Sequence, residues 1–127
     1  MITDIKTEIR SALLNNAALV LLLGRDKDNS VKVYQLAAPY ADDYPRITFF
    51  EVSNFDSQFA DDFAMASEVT VQIDVWSKGS TSAIAGEVDK TIKELGYSRS
   101  SSADLYEDDV KVVHKAMRFR NLLLNEE

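Results

Sequence analysis

"EVTVQIDVWSKGSTSAIAGEVDKTIKELG", residues 68–96, decides the fold. Val69, Val71, Ile73 and Val75 alternate with Glu68, Thr70, Gln72 and Asp74, the two-residue period of a strand with one buried face. Ile84, Val88, Ile92 and Leu95 then fall within about 80° of one another at 100° per residue, the stripe of an amphipathic helix. Glu87 sits towards the helix start and Lys90 and Lys93 towards its end, in agreement with the helix dipole. Ser80, Thr81 or Ser82 serves as its cap and Gly96 as its stop. With almost no linker between the two elements, the valine face is the natural seat for the helix stripe.

Working back from this unit, residues 46–53 read as a strand with Ile47 and Phe49 on one face and Phe50 and Val52 on the other. Apolar residues on both sides predict a central or doubly covered strand. Residues 31–37 read as a short strand, and residues 39–45 as an irregular connection with proline at both ends. At the N-terminus, Thr3 or Asp4 caps a helix carrying Ile5, Ile9 and Leu13. Asn15 and Asn16 break it. A second short helix, residues 17–23, ends at Gly24 and is apolar nearly all round, which predicts burial on more than one side.

Forward from the unit, residues 97–100 read as a short strand and residues 101–109 as an acidic loop. Residues 110–120 form a last long strand with Val113, Met117 and Phe119 on one face, and residues 121–127 a tail. The expected order is α-α-β-β-β-α-β-β with a hairpin across residues 46–77. The fold class is α+β, a mainly antiparallel sheet with helices packed on one face. One domain spans residues 1–127, with residues 54–65 expected as a mobile hairpin loop.

The 127 residues suffice for one hydrophobic core. At 46% hydrophobic and 28% charged, the composition is that of a globular chain. A net charge of −7 argues against bulk attraction to nucleic acid or to an anionic membrane. The absence of cysteine removes disulfides, thiol nucleophiles and thiolate metal sites, and fits a reducing compartment. The first ten residues mix acids with bases and do not read as a signal peptide. The longest apolar run, residues 17–23, is far short of the roughly 20 residues that span a bilayer.

No catalytic constellation is expected. His114, the single histidine, has Val112 and Ala116 as same-face neighbours, neither of them a partner, and reads as a tolerated strand residue. The acids Asp42–Asp43, Asp61–Asp62 and Glu107–Asp108–Asp109 lie outside any Asp-x-Asp-x-Asp-Gly loop and read as solvated turn charges. Lys111, Lys115, Arg118 and Arg120 make the last strand basic, but alternation puts lysines and arginines on opposite faces. They read as edge-strand protection, or as arginines placed for a neighbouring acidic subunit. No metal, no cofactor and no specific nucleic acid or membrane partner is expected.

The stretch NFDSQFADDFAMA is less ordinary. Phe55, Phe59 and Phe63 recur every four residues, a spacing that keeps them on one side in either a helix or a strand. Either the rings cap the open end of the core, or they line an arm that docks into another subunit, with Asp61 and Asp62 beside them.

The sequence resembles the tail completion, or head-to-tail joining, proteins of long-tailed bacteriophages and of related prophages of Gram-positive bacteria. The resemblance runs through "VKVYQLAAPY", "YPRITFFEV", "VTVQIDVWSKGSTSAIAGEVDKTI" and "VHKAMRFR", behind an N-terminal helix pair, and covers most of residues 1–120. Its most characteristic piece is the turn Asp74-Val75-Trp76-Ser77 into the helix, with Trp76 anchoring the corner. The resemblance implies a structural virion protein, present in host cytoplasm during assembly and not an enzyme. It would terminate the tail tube and join tail to head connector as a ring, typically of six subunits, while being compatible with a monomer in isolation. Its partners would be the tail tube protein, the head connector or stopper, and copies of itself. Phe55, Phe59, Phe63, Asp61, Asp62, Arg118 and Arg120 are the candidate interface residues. Two other readings compete: a different neck or minor tail adaptor on the same scaffold, and a host small-ligand-binding or regulatory domain. The last predicts a polar pocket beneath the helix–sheet layer.

Overall fold

The computed structural model describes residues 4–124. Its elements are α1 (Ile5–Leu14), α2 (Ala17–Leu23), β1 (Val33–Gln35), β2 (Arg46–Ala60), β3 (Phe63–Ser77), α3 (Ser82–Glu94), β4 (Ser98–Glu107) and β5 (Val112–Leu124). The order is the expected one. The sheet runs β1-β2-β3-β5-β4, with β1 parallel to β2 and every other pair antiparallel.

Local chemistry starts and stops the helices. Asp4 Oδ1 accepts from the Thr7 amide at 3.1 Å and caps α1. Asn16 does double duty between helices. Its Oδ1 accepts from the Leu19 amide at 3.0 Å and caps α2, while its Nδ2 donates to Thr91 Oγ1 at 2.9 Å and Glu87 Oε1 at 3.1 Å on α3. Gly24 and Gly96 close α2 and α3 at φ 72° and 102°, where a side chain would be strained. Thr81 precedes α3 without a side-chain cap, and Ser80 Oγ accepts from the Ser82 amide at 3.2 Å instead.

The core lies between the helices and the valine face of β3. Ile9, Leu13, Leu19, Val88 and Ile92 form one buried cluster with Ile47, Phe49, Val71, Ile73, Met117 and Phe119. The helices therefore all pack on one face.

Four expectations are corrected. Helix α2 buries only Leu19 and Leu23, and Leu21 is 84% exposed. A two-turn helix resting on α1 and α3 presents one side to them and the other to solvent. Strand β2 is central, between β1 and β3, as one of its two expected readings has it, but it is not doubly covered: Ile47 and Phe49 are buried, Phe50 is half-buried and Val52 exposed. The segment 54–65 is not a loop, because β2 and β3 stay paired to Ala60↔Phe63 around the two-residue turn Asp61–Asp62. The short strand and loop at residues 97–109 are mostly one strand, β4, and the tail's residues 121–124 continue β5; residues 125–127 lie outside the described residues. In each underestimated stretch, ladder pairing to a well-patterned neighbour imposes extended structure on serines and acids of low strand propensity.

Candidate functional site: an apolar arm and a polar open face

Beyond the helices, the ends of β2, β3 and β5 continue as a three-stranded arm. Phe55 pairs with Glu68 and Phe59 with Ala64, while Glu68 and Ala66 pair on their other side with Leu122 and Leu124. Directly opposed residues share a face, so Phe55, Phe59, Leu122 and Leu124 lie together on the face away from the helices. Phe63 and Met65 lie on the other. The rings are 53%, 63% and 69% exposed at Phe55, Phe59 and Phe63, so none of them caps the core. The expectation that all three share one side fails because the chain reverses between Phe59 and Phe63.

A bulge between Glu51 and Ser53 offsets β2 by one residue. Before it, odd-numbered Ile47 and Phe49 face the helices; after it, odd-numbered Phe55 and Phe59 face away. At the tip, Asp61 and Asp62 have φ of 50° and 68°, the left-handed pair of a tight hairpin turn, and both are exposed.

Nearer the body, the open face carries a polar network that tripeptide-scale patterns cannot reveal. His114 is buried at 9% exposure, with Nε2 2.7 Å from Asp74 Oδ1 and Nδ1 3.4 Å from Glu107 Oε1. This corrects its reading as a residue without partners, since the partners come from across the ladder. Gln72 Nε2 donates to Asp74 Oδ1 at 2.9 Å, and Arg118 Nε donates to Gln72 Oε1 at 2.9 Å. Trp76 stacks on His114 with ring centroids 3.7 Å apart, and its Nε1 donates to Thr48 Oγ1 at 2.9 Å. The indole thus ties β2, β3 and β5 together just before the corner into α3. Arg120 stands 3.7 Å from Glu68 at the root of the arm. Arg118 and Arg120 remain exposed, though not as edge protection: β5 is flanked by β3 and β4.

Of the acids expected as solvated turn charges, Asp42, Asp61, Asp62, Asp108 and Asp109 are exposed, whereas Asp43 belongs to one of two further polar clusters. Lys32 Nζ, buried, contacts Asp43 Oδ1 at 3.0 Å and donates to the Tyr44 carbonyl at 3.1 Å. Tyr34 Oη donates to Asp26 Oδ2 at 2.7 Å, and the Ser30 and Asp28 amides donate to Oδ1. The tyrosine hydroxyl, then the Ser30 amide, hold the Asp26 carboxyl below its ordinary range. Burial, then the bond to Asp26, pushes the Tyr34 hydroxyl up. Among the described residues no group of three His, Asp or Glu is arranged to hold a metal ion, and no helix is long and apolar enough to cross a membrane. The space a small ligand would need beneath the helices is occupied by Ile9, Leu13, Val71, Ile73, Val88 and Ile92.

Comparison with known proteins places the chain in a family. The family model described as Tail completion protein gp17 matches residues 7–123. The chain belongs to that family. A chain in the solved structure titled "Virion of native gene transfer agent (GTA) particle" is similar in fold, with a TM-score of 0.64 at 12% identity and 92% of each chain covered. No curated protein matches. As a member of the tail completion family, the chain has a structural role in a phage tail and is a virion component.

Proposed function

We propose that this tail completion protein terminates the tail tube and joins the tail to the head connector, acting as a ring of six subunits. The carrying observation is the arm with exposed apolar side chains on both faces: Phe55, Phe59, Leu122 and Leu124 on one, Phe63 and Met65 on the other. A two-faced apolar blade projecting from a packed body gains by insertion between neighbours. Asp61 and Asp62 at the tip, with Arg118 and Arg120 towards the root, orient it, and apolar contacts supply most of the affinity. The chemistry is association alone.

The test is to produce particles without the protein and image them. Full-length tails that fail to join filled heads, rescued by adding the purified chain, support the reading. Absent tails or empty heads assign the chain to another neck or tail position. Mixing the purified chain separately with tails and with filled heads then shows which it binds first.

A further inference from the structure

We infer that copies of this chain join edge to edge: the outer side of β4 in one subunit pairs antiparallel with the distal part of β2 in the next. One sheet then runs across the subunit boundary. The inference deepens the ring reading and rests on it.

Strand β4 is the outermost of the sheet, spans ten residues and is exposed at nine of them. It contains neither proline nor lysine, and its charged residues Arg99, Asp104 and Glu107 are engaged within the chain by Asp89, Lys115 and His114. On the opposite side of the same sheet, β1 covers β2 only at Ile47–Phe49. Past Phe49, no strand among the described residues lies on that side of β2. The uncovered part, residues 50–60, matches β4 in length.

Direction agrees too. Three successive antiparallel pairings leave β4 running opposite to β2. A second copy added in the same orientation therefore presents its β2 antiparallel to β4, the more stable pairing. Such a head-to-tail contact closes a ring when the rotation per subunit allows.

Full overlap sets Ser101 against Ser57, Ala103 against Phe55 and Leu105 against Ser53. Each pair lies on the open face, since Ala103 pairs with Ala116 beside Asp74, and Phe55 pairs with Glu68. Phe55 and Leu105, both half exposed, become diagonal neighbours. The bulges at Glu51/Ser53 and Arg99/Ser101 fall outside the facing stretches 53–57 and 101–105, which are regular.

The chain has no native cysteine, so Ser57→Cys and Ser101→Cys are made in separate full-length copies, mixed and oxidised. This is done in concentrated solution and in particles assembled with both. The S57C–S101C heterodimer is expected to exceed, by about tenfold, the adduct of S101C with Glu94→Cys on the exposed side of α3. Within residues 53–57 and 101–105, the alternate amides that point away from β3 and β5 gain exchange protection on assembly, which side-chain docking alone would not produce. An S101C homodimer in place of the heterodimer assigns β4 to a twofold contact and overturns the inference, as does the lack of any excess in both settings. Rings imaged without the cross-link overturn edge pairing and leave the ring reading standing. Cross-linked open chains support edge pairing and remove ring closure.

Discussion

Asp26 accepts from Tyr34 and from two backbone amides, and these bonds favour its charged form. Its folded carboxyl titrates below the unfolded value of about 3.9. The stabilisation is therefore complete above that value and lost as pH falls through the lower, folded one. Asp26→Asn should melt below the parent at neutral pH, with the gap closing as pH drops below about 4; thermal melts from neutral to acid pH measure it. Tyr97 is the opposite case. Its ring is buried while its hydroxyl has no partner among the described residues, and burial pushes its pKa to about 12. Tyr97→Phe removes an unsatisfied polar atom and should raise stability by about 1 kcal/mol in denaturant titration.

At the scale of elements, the arm is where association and stability separate. Asp61 and Asp62 hold left-handed backbone that Asn-Gly adopts at lower cost, so Asp61→Asn with Asp62→Gly should stabilise the hairpin by about 0.5–1 kcal/mol. If the acids orient the arm in the ring, the same double variant joins heads to tails poorly despite its higher denaturation midpoint. Phe59→Ser alters a side chain 63% exposed; cooperative melting should persist within about 0.5 kcal/mol of the parent, while joining in a tail-plus-head mixing assay is lost. Loss of cooperativity would place the ring in the core. The arm is also where sequence and structure diverge most. Strict valine alternation in β3 and the Ile84-Val88-Ile92 stripe made the central strand–helix unit and the element order legible. Serines 98, 100, 101 and 102 in β4 and the acids around Phe59 carry no such period, and become strand only because β5 and β3 lie beside them. His114 likewise could not be matched to Asp74 from one strand, because forty residues and a ladder register separate them.

For the molecule as a whole, a single core joins three helices to one face of the sheet, while Trp76 reports on the other face. Ile73→Ala should cost about 2–5 kcal/mol. Helical circular dichroism and tryptophan fluorescence should still fall in one coincident transition. Separate transitions would show that the open-face network holds independently of the core. The one-residue offset at Glu51/Ser53 has a consequence at this scale as well. Val52 is the surplus residue of that offset, since Glu51 and Ser53 oppose the consecutive residues Val71 and Thr70: its loss would erase the kink and leave both benzyl groups of the blade where they are, whereas one residue gained or lost between Asn54 and Phe59 would turn the blade like a screwdriver through half a revolution. Lineages that remodel this hairpin for a new neighbour are therefore expected to vary by single residues at the bulge and by pairs beyond it.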